Sequence, residues 1–356
     1  MTNASLVANL ATAAATGRPP RFGVSRHLAL SSFWFGNFFL WIPLTSVVLQ
    51  IQVDSFIPKG SQNTAIGVAL CLGGVLAMAV PPLVGGYSDR VTTRWGRRRP
   101  IMVAGIAGAI VGLAIMGSAQ NYPMLVVGYL FVQGFSNAAG AAYAGLVPDI
   151  VPAQEFGRAS GFLATMVLVG SGAGLGATIG LGGLDLRFTY LAMAAVVLLS
   201  VLPTLWVARG EGMVPVPRAP KLPLLQAARE FLRPMAGGDF GWVIFTRLFV
   251  SAGIVTVQSF LLNFFRDVVG VANPKTFTSL WLIVVLLTAV PFALAAGHLS
   301  DRYGRKIFVY LSGAFQSIVA LVFVIFFPTS IPLIYATGVL YGAGYGCYYA
   351  VDWALA

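Results

Sequence analysis

The run GGYSDRVTTRWGRRRP, residues 85–100, concentrates charge in a chain in which only 9% of the residues are charged. The guanidinium groups of Arg90, Arg97 and Arg98 can pair with a carboxylate such as Asp89, or with the phosphates of a nucleic acid. A pair of this kind at a helix end can also hold two elements together until it is broken. Three interpretations follow: a nucleic-acid patch, a membrane topology signal, or part of a moving gate.

A second set of residues places uncharged polar groups and aromatic rings inside long apolar stretches. Amides pair with hydroxyls, and aromatic rings stack on the apolar faces of sugars, so these types suit a neutral polyhydroxylated ligand. The same types make hydrogen bonds between membrane helices, and both interpretations stay open. The candidates are Asn37, Trp41, Gln133, Asn137, Gln258, Tyr341, Tyr345 and Tyr348.

Among the Asp, Glu, Lys and Arg residues, only Arg247 and Asp352 fall inside apolar stretches, where charge is costly and is usually retained for function. Asp352 is a candidate for a coupling proton or a gate, and Arg247 for a gate or for snorkelling to the membrane surface. No acid pair, His–Cys pair or metal-ligand cluster occurs in any apolar stretch. We therefore expect no enzyme, no cofactor and no metal site, and treat Cys71 and Cys347 as packing residues.

The elements that must position these residues are transmembrane helices. Hydrophobic residues make up 58% of the chain, against about 45–50% in soluble domains. Stretches of about 20 apolar residues are long enough to cross a bilayer. The sequence predicts an all-α polytopic membrane protein with ten spans, at residues 28–53, 62–86, 101–119, 123–147, 160–181, 188–207, 241–265, 276–298, 307–327 and 332–354.

The distribution of basic residues fixes the expected orientation. If the N-terminus is cytoplasmic, the outer loops hold only Lys59, Arg187, Arg266 and Lys275, and most of the other basic residues fall in cytoplasmic loops. This asymmetry matches the positive-inside rule and predicts a multi-pass protein of the cytoplasmic (inner) membrane. Because the basic excess is spread over several loops, it also argues against a nucleic-acid partner.

The longest connection, residues 208–240, divides the spans into six and four. Its prolines predict a stiff linker, and residues 224–232 have the pattern of a short amphipathic helix at the membrane surface. The predicted division is a six-helix half at 1–207, the linker at 208–240, and four helices of a second half at 241–356.

The charged run has an internal repeat. GHLSDRYGRKIF, residues 297–308, follows the second span after the linker, just as residues 85–100 follow the second span of the chain. Parallel halves of this kind are a known transporter architecture. The aligned pairs are Gly85 with Gly297, Asp89 with Asp301, Arg90 with Arg302, Gly96 with Gly304, and Arg97 with Arg305.

With these two loops the chain resembles the major facilitator superfamily, and the longer first loop is similar to that of the sucrose transporters and the glycoside–pentoside–hexuronide cation symporters. The resemblance implies two six-helix halves, of which the sequence contains ten helices of an expected twelve, so that helices 11 and 12 are expected beyond residue 356. It implies that the loops, with Arg98 of the first copy, close the cytoplasmic side. Asp89 would contact helix 11, and Asp301 the start of helix 5 at residues 157–162.

The resemblance also implies a function. Helices 1, 4, 7 and 10 line the cavity in the family, so the expected activity is alternating-access transport of a sugar or other small polar solute with proton symport, by a monomer in the lipid bilayer. Residues 62–86 lack the aspartates of a sodium site. Residues 160–187 lack the Gly-Pro of the family's antiporters. The alternative is a non-transporting relative that assembles membrane components or binds a pigment or lipid.

Overall fold

A computed structural model describes residues 22–88, 93–152, 155–181, 185–210, 239–326 and 330–355. These residues form ten helices and no extended strand, which confirms the all-α prediction. The helices are α1 (Val24–Phe56), α2 (Gln62–Ser88), α3 (Arg99–Gly117), α4 (Tyr122–Ile150), α5 (Phe156–Gly180), α6 (Leu186–Val207), α7 (Asp239–Phe264), α8 (Pro274–Tyr303), α9 (Arg305–Phe326) and α10 (Ile331–Leu355). The amphipathic helix predicted at 224–232 lies outside the described residues.

Local sequence signals set several helix starts. The side chain of Asn121 accepts a hydrogen bond from the Met124 N–H at 2.9 Å, and Asn273 accepts one from Thr276 at 3.2 Å. Each caps a helix whose next residues include a proline, at α4 and at α8. Asn satisfies an unpaired N–H of the first turn, and proline at that point sacrifices no helical hydrogen bond.

Nine helices of the described part of the chain are long and apolar enough to cross a membrane. The remaining one, α10, has 25 residues and carries five tyrosines and several glycines, which lower its hydropathy without shortening it. The length of α10 is sufficient for a bilayer at 1.5 Å per residue. The protein is therefore a multi-pass membrane protein.

Helices α1 and α7 each contain a π-helical segment in their second half. In α1 this segment is Leu44–Val48, directly after Pro43. In α7 it is Phe265–Val269, and it extends the helix to Gly270, whose φ is +72°. Single π turns widen a helix locally and are frequent at functional sites. The first and the seventh helix thus each have a π-helical segment towards their C-terminal end.

The structure separates into two compact units, which do not follow the halves of the sequence. The first comprises residues 1–40, 67–171 and 185–218, and the second comprises residues 41–66, 172–184 and 219–356. Helices α1, α2 and α5 each contribute to both units. The division of the sequence into 1–207, 208–240 and 241–356 remains a prediction.

Within each unit, small residues bring helices close together. In the first unit, a Cβ on Gly112 of α3 would lie 2.7 Å from the Val132 nitrogen of α4. In the second unit, Gly346 of α10 packs directly on the Ala289 carbonyl of α8, and Trp281 of α8 is buried with its Nε1 donating to the Ile334 carbonyl at 2.9 Å. Close backbone contact and buried hydrogen bonds replace the hydrophobic effect in lipid.

Candidate functional site

The first charged loop ends in a tight turn before α3. Gly96 has a φ of +100°, which favours glycine. Its N–H donates to the Thr93 carbonyl at 3.0 Å, and the Thr93 hydroxyl donates to the Gly96 carbonyl at 2.7 Å. Gly85 lies in the last turns of α2 with open space beside it. Asp89 and Arg90 lie outside the described residues.

The second loop repeats this backbone feature. Gly304, the counterpart of Gly96, has a φ of +84° and separates α8 from α9. Asp301 and Arg302 belong to the last turn of α8, and Arg305 begins α9. The side chains of these three residues, and the surroundings of Gly297, lie outside the described part of the chain.

The arginines of the first loop are held by the end of α4. We define the basic-end cluster as Ser88, Arg97, Arg98 and Asp149. The Arg98 guanidinium donates through NH1 to the Ser88 hydroxyl and through Nε to Asp149 Oδ2 at 3.3 Å, and Arg97 donates to the same Oδ2 at 2.8 Å. Arg98 is only 6% exposed and fills the space that a Cβ on Gly145 would need.

Sequence reasoning placed Asp149 at a helix end and gave it no role. A signal was available, because a carboxylate at the C-terminal end of a helix is opposed by the helix dipole and needs a cation nearby. Asp149 is one residue from the end of α4 and receives two arginines. The loop therefore has a carboxylate partner within its own unit.

A hydrogen-bonded contact in the first unit joins the start of α1 to the start of α5. His27 is fully buried, and its Nε2 lies 2.9 Å from Glu155 Oε2, while the Phe22 N–H donates to Glu155 Oε1 at 2.9 Å. The His27 ring stacks on Phe162 at 5.3 Å. Hydrogen bonding from His27 holds the pKa of Glu155 below its usual value, and Phe22 and Arg158 act in the same direction.

The second unit contains a charge cluster where α1 ends, α2 begins and α7 ends. We define the opposite-end cluster as Asp54 of α1, Gln62 of α2, and Arg266 and Asp267 of the π-helical end of α7. Arg266 pairs with Asp54 through NH1, donates to Gln62 Oε1 at 3.0 Å, and contacts Asp267 through Nε at 2.7 Å. Sequence reasoning assigned Arg266 only to an outer loop, because its pairing with Asp54 joins positions more than 200 apart.

The neighbouring amides extend the same contact. Asn263 of α7 donates to Asn63 of α2 one turn before the Arg266 interaction. The Asp54 and Arg266 side chains are 20% and 26% exposed, so the pair is neither fully buried nor fully solvated. An ion pair in this range of exposure can be stable and can still be broken at moderate cost.

The polar candidates of the first unit meet on α1 and α4. The Ser136 hydroxyl donates to Asn37 Oδ1 at 2.7 Å, and the Asn137 amide turns back to the Gln133 carbonyl at 2.7 Å. Gln133 is 9% exposed, and its Oε1 has no hydrogen-bond partner among the described residues. Nε1 of Trp34, which was not among the sequence candidates, also has no hydrogen-bond partner among the described residues.

The polar candidates of the second unit meet on α7 and α10. The Gln258 side chain hydrogen-bonds Tyr345, and the Tyr341 hydroxyl donates to the Ile254 carbonyl at 3.5 Å. These residues are buried, as is Tyr348. Trp41 is half-buried and belongs to the second unit.

The two charged candidates lie on α7 and α10. Arg247 lies on an exposed part of α7, and the side chain of Asp352 lies outside the described residues. The described residues contain no group of three or more His, Cys, Asp or Glu side chains that could hold a metal ion.

Ten helices, paired loops and polar groups inside apolar helices define a multi-pass membrane protein with the elements of a carrier. The chain belongs to the Major Facilitator Superfamily, whose family profile matches residues 60–356. This is a family of membrane transporters, so the resemblance found in the two loops is confirmed.

Relatives with known names fall in several branches. The chain is 29% identical over 160 residues to the class H tetracycline resistance protein of Pasteurella multocida, a match that covers 44% of this chain and 38% of that protein. It is 29% identical over 174 residues to solute carrier family 45 member 4 of Mus musculus, covering 44% and 21%. It is 34% identical over 105 residues to the sucrose transport protein SUC4 of Arabidopsis thaliana, covering 29% and 20%. The chain thus matches well under half the length of each.

Solved structures share the fold over almost the whole chain. A bacterial homologue of the human lysosomal transporter Spinster, inward-facing and unoccupied, gives a TM-score of 0.67 at 16% identity and covers 94% of this chain and 76% of its own. A mutant form of the nucleoside transporter NupG gives 0.65 at 17% identity, covering 92% and 80%. These similarities establish the architecture of the superfamily for this chain.

Proposed function

We propose that the protein is a secondary transporter that moves a small neutral polar solute, such as a sugar, across the cytoplasmic (inner) membrane by alternating access. Support comes from membership of the superfamily and from the match to a sucrose transport protein. The excess of basic residues in one set of loops supports a cytoplasmic N-terminus. The opposite-end cluster then faces the outside and the basic-end cluster faces the cytoplasm.

The observation that carries the proposal is the opposite-end cluster. Its partners come from both halves of the repeated sequence, because Asp54 and Gln62 precede the linker and Arg266 follows it. Alternating access requires contacts between the two halves of the repeat that form in one state and break in the other. A partly exposed ion pair suits this task, since breaking it costs less than breaking a buried one.

The two loops are the proposed gate of the cytoplasmic side. In the first copy the proposed gate residues are Gly85, Asp89, Arg90, Gly96, Arg97 and Arg98; in the second they are Gly297, Asp301, Arg302, Gly304 and Arg305. The matching positive φ of Gly96 and Gly304 supports equivalent turns in the two copies.

Proposed solute contacts lie in both units. In the first unit, the buried acceptor of Gln133 and the Trp34 indole N–H have no partner in the described residues, and such groups can receive hydroxyl groups of a solute. In the second unit, Gln258 and Tyr345 form a hydrogen-bonded pair that can exchange partners. Arg247 and Asp352 remain the candidates for gating or for carrying a coupling proton.

The test uses the complete chain in proteoliposomes with a panel of radiolabelled sugars, nucleosides and tetracycline. We expect counterflow of a neutral polyhydroxylated solute and alkalinisation of the medium when that solute is added. Gln133→Leu should raise the KM at least tenfold, whereas Thr165→Val, at an exposed position of α5 that bonds only its own helix, should leave the KM unchanged. Absence of flux for every solute would overturn the transport proposal.

The tetracycline resistance relatives favour a second candidate, proton-coupled antiport of an amphipathic compound. The same panel separates the two, because antiport gives tetracycline flux and acidification instead of sugar flux and alkalinisation. A chain that retains solute binding in a thermal-shift assay without any flux would instead support the non-transporting alternative, an assembly or pigment-binding and lipid-binding protein.

A further inference from the structure

The first unit contains a cavity of about 440 Å³ between the second half of α3 and the first half of α6. Its floor is apolar and includes Leu113 and Tyr190, both buried. Polar side chains lie at one end only, where α3 ends and α6 begins: Ser118, Gln120 and Arg187. The cavity therefore has an apolar body and a polar mouth.

The surroundings indicate that this cavity faces lipid. On the same two helices, Val111, Leu198, Leu199 and Leu202 are all exposed, between 47% and 63%. Exposed apolar side chains on a transmembrane helix contact acyl chains. The helix ends beside the mouth lie at the level where the hydrocarbon gives way to headgroups, because α3 and α6 are both predicted spans.

Arg187 lines the mouth, and the oppositely charged Asp185 contacts it. Asp185 caps α6 by accepting the Arg187 N–H at 3.0 Å, and its second oxygen lies 3.8 Å from Arg187 Nε. The side chains are 57% and 72% exposed, so their mutual attraction contributes little to stability. Each charge can therefore turn towards a ligand at little cost.

We propose that this cavity binds one phospholipid with an ethanolamine headgroup, from the leaflet at the α3–α6 ends named above. One acyl chain lies against Ala114 and Leu191, the phosphate pairs with Arg187, and the primary ammonium pairs with Asp185. The charges at the mouth, together with the hydrogen bond that Asp185 can accept, determine the lipid class. An anionic headgroup would face the Asp185 carboxylate without a compensating cation, and a choline headgroup has no N–H to donate to it.

The apolar lining also separates this site from the proposed solute contacts. A polyhydroxylated solute would leave most of its hydroxyls unpaired on Leu113, Ala194 and Leu191. The proposal does not rest on transport, and a chain that moves no solute could still bind the lipid.

The experiment is native mass spectrometry of the complete chain, mixed with ethanolamine, glycerol and choline phospholipids of identical acyl chains. The unmodified protein should retain the ethanolamine lipid at least threefold over the other two. Ala194→Trp, which fills the cavity, should lower that retention at least fivefold. Leu199→Trp, at an exposed position of the same helix that points away from the face of Leu191 and Ala194, is the matched control and should change nothing.

The headgroup assignment has its own variants. Asp185→Asn keeps a capping residue but removes the charge, so the helix should remain folded while the preference for ethanolamine over glycerol lipid disappears. Arg187→Gln should lower retention of all phospholipids. Equal retention by Ala194→Trp and the unmodified protein, or a preference for the glycerol lipid before any substitution, would overturn the proposal.

Discussion

The basic-end cluster and the opposite-end cluster use the same chemistry, arginine paired with aspartate, but differ in which parts of the chain they join. Arg98 and Asp149 are 51 residues apart and belong to one half of the sequence repeat. Asp54 and Arg266 are 212 residues apart and belong to different halves. The Arg98 side chain is 8% exposed, against 26% for Arg266, whereas the two carboxylates, Asp149 and Asp54, are similarly exposed at 22% and 20%.

This difference indicates two roles for one kind of interaction. A pair within one half, with its arginine buried, is not broken by a movement between the halves, and so it stabilises the loop that it anchors. A partly exposed pair across the halves changes its energy whenever they move. The first cluster is therefore suited to fixing the proposed gate loop, and the second to the switching that the transport proposal requires.

The largest expected effect comes from removing the carboxylate of the basic-end cluster. Asp149→Asn leaves Arg98 charged and buried without the Asp149 anion, which costs about 3–5 kcal/mol in the free energy of unfolding. Thermal unfolding in detergent measures this loss. Asp185→Asn, at the exposed pair with Arg187, is the control and should cost less than about 1 kcal/mol. Equal losses in the two variants would contradict the distinction between the clusters.

The opposite-end cluster should show a smaller coupling energy between its charges, and this energy should depend on the salt concentration. A double-mutant cycle with Asp54→Asn and Arg266→Gln should give a coupling energy of about 1–2 kcal/mol, between the values for exposed and buried pairs. High ionic strength should reduce this energy more than that of the Arg98–Asp149 pair, because partly exposed charges are screened more strongly. A coupling energy near zero at low salt would contradict the proposal that this pair holds the two halves together in one state.

The two turns with positive φ allow the repeat itself to be tested. Gly96→Ala and Gly304→Ala should each lower the free energy of unfolding by about 1 kcal/mol, since an L-residue is strained at this φ. Gly172→Ala, in the helical part of α5 with open space beside it, should cause no loss. A loss of stability in Gly96→Ala without a loss in Gly304→Ala would show that the two loops are not equivalent.

The smallest effect concerns pH. The folded-state pKa of Glu155 is lowered, so its contribution to stability is present above its ordinary pKa of 4.5 and is lost as the pH falls through the folded-state pKa. The melting temperature should therefore decline in this acidic window, and Glu155→Gln should flatten the decline. An unchanged slope in that variant would show that another carboxylate is responsible.

Much of the fold could be predicted because lipid imposes strict rules. A span in lipid must satisfy its own backbone, so a run of about 20 apolar residues has to be a helix. The ten predicted spans correspond to α1–α10, and the structure mainly lengthens them: α8 runs to Tyr303, five residues past the predicted end. The apolar pattern does not mark such ends because polar residues can continue a helix beyond the bilayer.

The candidate site was less predictable. Gln258 and Tyr345 could be proposed because amides and tyrosines are conspicuous in apolar helices, and the structure brings them together. Asp149, Glu155 and Arg266 were placed in loops or at helix ends, where charges are ordinary, and each has a partner on another part of the chain. Whether the proposed residues act on a solute stays a prediction.

The sequence by itself determined the helices, the repeat of the two loops and the family, because hydropathy and turn residues act locally and the motif is short. The tertiary structure alone decided which charges meet. Coulomb energy depends on distance and burial, and neither can be read from the order of residues when Asp54 lies at the end of α1 and Arg266 at the end of α7. Which aspartate pairs within one half and which one pairs across the halves is therefore a property of the packed helices.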